Sequence, residues 1–439
     1  MAPVTAAMTT HRWSVLRSPT TPARSASCAA LWRDSPHNRP HSVIRMRRRA
    51  MRTLRIFAAA AGGMALVASA CGGGPAAQPP SGSASGAITQ EVKVGVAISL
   101  TGAANVYGPS QQNGVNLAAE QINAIGRPFT VRLVIEDDAS TAAQSITVFK
   151  KFIDQDKVAA ILGPTLSGSA AGAHPVAQAA QIPTIAISNT GIGIVGKCDY
   201  GPCDYIFRAS LGEETALPET VKAAKAALNL KKVVLLYAQD DKFSADDATI
   251  FEKALGAEGI QITKKVAFSK NDVDFAGTVG QVKGDNPDAI VVGALAGPAT
   301  KILQEIAKQM PGKKMLCGNG CNTPAIISGA GAAAEATIVG TAWDPSSDTA
   351  SYFVNSYKAK YGKDPDQFAA QAYTALHVLA NALDTSKVNA NDHAALKRAL
   401  EGIKNAKTVL GAFSFTADHD VSQPVYVMTV KGNAFVPFK

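Results

Sequence analysis

The chain has 439 residues, 46% of them hydrophobic and 18% charged, with a formal net charge of +9 at pH 7. Such a composition excludes a disordered or low-complexity protein. The positive charge is no sign of a nucleic-acid partner, because eleven Arg and one Asp fall within residues 1 to 70, and without them the formal charge is −1.

In chain order, residues 1 to 45 are rich in Arg, Pro and Ser with no periodic apolar pattern, so they are expected to lie outside the working protein, which would start at Met46 or Met51. The basic cluster from Arg45 to Arg55 then precedes thirteen apolar residues, Ile56 to Ala68, followed by Ser69, Ala70 and Cys71. This is the order of a secretory signal, here over residues 46 to 70. The run is shorter than the ~20 residues a transmembrane helix needs. A cysteine directly after small residues resembles the lipobox of bacterial lipoproteins, with Ala68 where leucine is commoner. The resemblance implies that Cys71 is acylated and becomes the new N-terminus. From Gly72 to Gly86 the chain holds Gly, Pro, Ser, Ala and Gln, too little bulky apolar surface to offset the entropy of ordering. Residues 71 to 87 therefore read as a lipidated cysteine and a flexible tether, reaching roughly 20 to 25 Å. The expected location is the outer face of the cell membrane.

The folded part begins near residue 88 and exceeds the size at which one core keeps growing, so two lobes are expected. Apolar, β-branched runs recur in it: VKVGVAIS (92 to 99), FTVRLVIEDD (129 to 138), VAAILG (158 to 163), IPTIAIS (182 to 188), KVVLLYA (232 to 238) and DAIVVGAL (288 to 295). Nearly continuous apolar strands alternating with helical stretches, such as Ser110 to Ile125, predict α/β architecture with parallel sheets covered on both faces. The C-terminal GAFSFTADHD and VYVMTVKGNAFVPF read as antiparallel strands.

Catalytic signals are weak. GIGIVGKC (191 to 198) matches G-x-G-x-x-G and misses the Walker pattern only at Cys198, but both motifs need a helix to begin there, and Gly201 with Pro202 oppose one. The histidines after residue 71, His174, His377, His393 and His419, have no metal-type spacing, and Ser167 lacks G-x-S-x-G. Four cysteines form two tight pairs, Cys198 with Cys203 and Cys317 with Cys321, which in an oxidising compartment read as local disulfides, a four-thiolate zinc site being the alternative.

The segments VGVAISLTGAANVYGPSQQNGVNLAAEQINAIG, AAILGPTLSGSAAGAHPVAQAAQIPTIAIS, VVLLYAQDDKFS, NPDAIVVGAL and YGKDPDQFAAQAYTAL stand in an order that resembles the leucine/isoleucine/valine-binding protein family, the type I periplasmic receptors of ABC importers. The resemblance covers residues 90 to 439. It implies a two-lobed fold with three hinge crossings, one lobe holding 90 to 208 and 345 to 423, the other 209 to 344 and 424 to 439. It also implies a ligand site. PTLSG places Thr165, Leu166 and the donor Ser167 at a carboxylate; ISNTG adds Asn189 or Thr190; Tyr107 is one aromatic wall, with Phe243 and Leu295 opposite. Amino-acid-binding members carry an acid in the loop that here reads LCGNGCN, where Asn319 offers only a dipole; Asp240 or Asp241 is the substitute to consider.

The expected function is an extracytoplasmic lipoprotein that captures a small polar solute (branched-chain amino acid-like, amide or carboxylate) and delivers it to the transmembrane subunits of an ABC permease, with no cofactor, metal or catalytic residue. The missing acid predicts that a solute's α-amino group adds little. A sensing receptor for a signalling partner is the alternative, with a hydrolytic enzyme further off.

Overall fold

The structure, a computed structural model, describes residues 90 to 386 and 389 to 439. The expectations for residues 1 to 45, the signal, Cys71 and the tether lie outside the described residues.

Strand and helix alternate from the start: β1 (Gln90–Ile98), α1 (Gly108–Ala124), β2 (Phe129–Asp137), α2 (Ala142–Lys151), β3 (Ala160–Leu162), α3 (Ser167–Ala179), β4 (Thr184–Ala186) and β5 (Ile206–Arg208). The five strands form one parallel sheet in the order β2-β1-β3-β4-β5. Val94, Val96, Ala97, Ile98, Ile161 and Leu162 are fully buried whichever way they point, which is why these strands read as apolar runs and not as alternating patterns. β3 is shorter than the run that announces it. Gly163 follows with φ +111°, and a Cβ there would lie 2.1 Å from Ala97 O, so only glycine lets the chain turn off the sheet at this point.

The chain then builds a second sheet from α4 (Glu213–Leu228), β6 (Lys232–Ala238), α5 (Lys242–Ala257), β7 (Gln261–Phe268), α6 (Ala276–Lys283), β8 (Ala289–Gly293), α7 (Ala296–Gln309), β9 (Lys314–Cys317), α8 (Pro324–Ala330) and β10 (Thr337–Thr341). Val233 and Leu235 face one core while Val234 and Leu236 face another, the two-residue alternation of a strand buried on both sides. The side chain of Asp241 starts α5 by accepting Ser244 N–H at 3.0 Å.

Next come α9 (Ser351–Tyr361), α10 (Gln367–Ser386), α11 (His393–Glu401), β11 (Ala406–Thr408), β12 (Gly411–Phe415) and β13 (Val421–Ser422). They return to the first sheet, where Trp343, Phe353, Leu376 and Phe413 share a core with Val96 and Ile122. β14 (Tyr426–Lys431) and β15 (Ala434–Pro437) go back to the second, which runs β7-β6-β8-β9-β10-β14-β15, the last two antiparallel to their neighbours. The chain thus passes between the sheets within residues 209–212, 342–350 and 423–425. Two α/β lobes with mainly parallel sheets are the architecture expected from the sequence.

Candidate functional site

Each sheet reverses its strand order once, between β1 and β3 in the first lobe and between β6 and β8 in the second. Loops leaving the carboxyl ends of such strand pairs diverge and open a crevice. Here the two crevices meet at one cavity of about 20 Å³. Tyr107, Thr165, Leu166 and Ser167 line it from the first lobe, and Phe243, Leu295 and Asn319 from the second, all of them singled out in the sequence.

The first-lobe wall is held by a buried hydrogen-bond network. Thr165 Oγ1 accepts Ser99 N–H at 2.9 Å and donates to Gln111 Oε1 at 2.7 Å. Gln111 Nε2 donates to Ser188 Oγ at 2.8 Å, which donates in turn to Thr165 O at 2.6 Å. Asp138 accepts from Ser99 Oγ at 2.5 Å and from Thr165 N–H at 3.2 Å. Burial outweighs these bonds and raises its carboxyl above the usual range. Thr165 is therefore committed to the wall. Ser167 is not: it is the first residue of α3, its Oγ accepts Gly191 N–H at 3.2 Å, and its own proton is left to donate into the cavity beside the helix N-terminus.

Asn189 and Thr190 stand behind the wall and do not line the cavity. Asn189 Nδ2 donates to Thr165 O at 3.1 Å, and Thr190 O accepts Glu213 N–H at 3.1 Å. Asn189 Oδ1 and Thr190 Oγ1 are buried without a partner. Ser188, Gly320 and Phe368 line the cavity and were missed; Phe368 comes from α10, far along the chain, with no local motif to announce it.

Tyr107 does more than form a wall. Its hydroxyl crosses into the second lobe, donating to Gly320 O at 2.9 Å and accepting the N–H of Ala296, the first residue of α7, at 2.8 Å. Its ring packs 4.4 Å from that of Phe368, centroid to centroid. Burial pushes the phenol far up, so it stays a neutral donor. Gln367 Nε2 donates across the same boundary to Asn319 O at 2.7 Å. At the rim, Lys242 Nζ lies 3.1 Å from both Asp199 and Asp246, and Ile192 N–H donates to Asp246 Oδ2 at 2.9 Å. The lobes are therefore closed on one another.

Asp199 lies within the loop closed by the Cys198–Cys203 disulfide, and Cys317–Cys321 is likewise bonded, with 6.2 Å between Cα atoms in each pair. Residues 191 to 198 form turns with no helix beginning there, so the phosphate-loop look-alikes fail on geometry. His174 is fully buried against Gly163 O at 3.2 Å, a packing role. Neither Asp240 nor Asp241 takes the place of an acid at Asn319: Asp240 accepts from Ser269 Oγ and Lys270 N–H, and Asp241 caps α5. The acids beside that loop are Glu213 and Asp247, neither of which carries a local sequence signal.

Two α/β lobes closing on a cleft lined from both switch points define a solute-binding receptor, whose chemistry is recognition and closure. The chain belongs to the periplasmic binding protein family, whose model matches residues 91–434. It is 29% identical to the branched-chain amino acid transporter substrate binding protein LivJ of Streptococcus pneumoniae, solved in complex with isoleucine, with a TM-score of 0.73 over 79% of this chain and 98% of that one. It is 25% identical to Leu/Ile/Val-binding protein homolog 2 of Brucella abortus over 77% of this chain and 90% of the relative. A Rhodopseudomonas palustris solute binding protein in complex with 3,4-dihydroxy benzoic acid shares the fold at 23% identity and a TM-score of 0.70, with 78% and 93% of the two chains covered. The chain is thus a non-enzymatic solute-binding protein of the ABC-importer type.

Proposed function

We propose that this protein is the extracytoplasmic, lipid-anchored receptor of an ABC importer, capturing a small solute through its carboxylate or amide end and presenting the closed form to the permease. The carrying observation is that Ser167, at a helix N-terminus in the first lobe, and Tyr107, bonded into the second, border the same cavity. A solute held by Ser167 on one side and by Phe243 and Leu295 on the other favours closure by its differential affinity for the closed state. The passages at 209–212, 342–350 and 423–425 act as the hinges. Similar proteins solved in complex with isoleucine and with a dihydroxybenzoic acid support a carboxylate as the shared feature.

The test is mass spectrometry of the solute that co-purifies, followed by calorimetry of that solute with the wild type and Ser167→Ala. Losing a hydroxyl that donates to a carboxylate costs ~1.5 to 3 kcal/mol, so affinity falls roughly 10- to 150-fold. A solute recovered chemically altered, or bound equally by both proteins, counts against the reading.

A further inference from the structure

A larger cavity lies where the lobes meet beside the 342–350 passage. Its volume is about 670 Å³, within the range of pockets that hold small molecules, against about 20 Å³ for the solute cavity. Ile327 of α8 and Phe435 of β15 line it from the second lobe, Val354 of α9 from the first, and Trp343 and Pro345 from the passage itself. Ile327, Pro345, Val354 and Phe435 are only half-buried, so both lobes present uncovered apolar surface to the same space.

Two donors in this apolar lining are left over. Asn322 is 3% exposed, and its Nδ2 is buried with no hydrogen-bond partner. Lys363 lines the same cavity, and the carboxyl groups beside it are engaged elsewhere: Asp364 with Lys358 at 2.9 Å, Asp366 with Ser110 Oγ and Ala369 N–H. Burial raises the Asp366 carboxyl above the usual range, which lessens the negative charge it turns to the cavity. Buried polar atoms are nearly always satisfied, so an unpartnered amide N–H and an ammonium beside apolar surface call for a ligand with an apolar body and an anionic acceptor head.

We propose that this cavity is a second ligand site, for a small apolar carboxylate, whose occupancy favours the closed arrangement of the lobes. The two cavities share walls. The turn Asn319–Cys321, tied by the Cys317–Cys321 disulfide, and the start of α10 border both: Asn319, Gly320 and Phe368 line the solute cavity, while Asn322 and Asp366 line the larger one. A hydrogen-bond path joins them. Trp343 N–H donates to Thr341 Oγ1 at 3.0 Å, Thr341 Oγ1 to Gln367 Oε1 at 2.6 Å, and Gln367 Nε2 to Asn319 O at 2.7 Å. Because both lobes line the larger cavity, a molecule that fills it fits the closed arrangement, and a ligand shifts the population towards the arrangement it fits better. By linkage the carboxylate tightens the hold on the solute, and the solute tightens the hold on the carboxylate by the same factor.

The cavity carries its own reporter, since Trp343 is the only tryptophan after Trp32. The experiment titrates the purified protein with 4-phenylbutanoate and with 4-phenylbutan-1-ol, the same body with an uncharged head, reading tryptophan emission against a Trp343→Phe blank and heat by calorimetry. The expected result is a saturable change in Trp343 emission and about tenfold tighter binding of the acid, a preference that falls about tenfold in Asn322→Ala and two- to fivefold in Lys363→Gln. Tyr107→Phe, which removes bonds between the lobes outside this cavity, should weaken the acid about threefold or more. No saturable change in Trp343 emission, or equal affinities for acid and alcohol, overturns the proposal whether or not the variants fold. Binding of the acid that Ser167→Ala weakens places it in the solute cavity, which overturns the second site and leaves the solute-binding reading standing. Binding indifferent to Tyr107→Phe overturns the link to closure.

Discussion

Tyr107 is the residue on which closure turns, because its hydroxyl satisfies a carbonyl and an N–H of the other lobe at once. Tyr107→Phe keeps the ring contact with Phe368 and leaves both partners without a bond in the closed state, which costs ~1 to 3 kcal/mol. The expected outcome is a larger radius of gyration in small-angle scattering of the solute-free protein and a solute affinity weakened by about tenfold. Unchanged scattering and affinity remove the phenol from the closing mechanism. The residues that sequence reasoning found, Ser167, Phe243 and Leu295 among them, sit in loops or first turns directly after strands, where position in the chain predicts position in the cleft. Those it missed are set by tertiary packing. Glu213 and Asp247 are single acids on helices, and only the fold brings them to Gly318.

Among the elements, α3 shows how a buried histidine sets a pH limit. His174 is fully buried, and burial lowers its pKa to about 4, only partly countered by its bond to Gly163 O; His377 on α10 is lowered to about 4 in the same way, burial first and then Arg127. The unfolded chain binds a proton at His174 below about pH 6.5 and the native state does not, so stability falls as pH drops from 6.5 towards 4, by about 3 kcal/mol for this one residue. Asp138 and Asp366, whose pKa values burial raises, act in the opposite sense as they gain protons. Comparing wild type with His174→Gln separates the two: the wild-type melting temperature should fall more steeply between pH 6.5 and 4.5, and parallel curves would show that the native ring is protonated. The elements themselves were legible because strands buried on both faces leave long apolar runs. Their ends were not: β3 stops where Gly163 turns, a matter of backbone approach that no apolar pattern records.

At the scale of the molecule, the proposed acylation of Cys71 would set the location. Stable anchoring needs two or more acyl chains, so the wild type should partition into detergent from membranes and Cys71→Ala should be released or left unprocessed; a wholly soluble wild type would reject the anchor. The described residues hold no helix long and apolar enough to cross a membrane. The two-lobed plan was legible from length and strand rhythm, whereas the closed arrangement was not, because it depends on bonds between residues as far apart as Tyr107 and Gly320, 213 positions along the chain.

The interrupted path of the chain also dictates an order of assembly. The second lobe's parallel strands, β6 to β10, come from one continuous stretch, and only β14 and β15 arrive late. The first lobe is completed by α10, whose Tyr373 donates to Gln121 on α1 across 252 residues of chain. Closing so long a loop is slow, and local structure forms ahead of it. Emerging from an export channel, the N-terminal sheet would hold an uncovered apolar flank until the last third of the chain arrives, while the middle of the protein is already native. Pulse-labelled hydrogen exchange during refolding should therefore protect β6, β8 and β9 before β1 and β3; simultaneous protection would mean that the two lobes fold as one unit, and the late-born half would then be the nucleus for both.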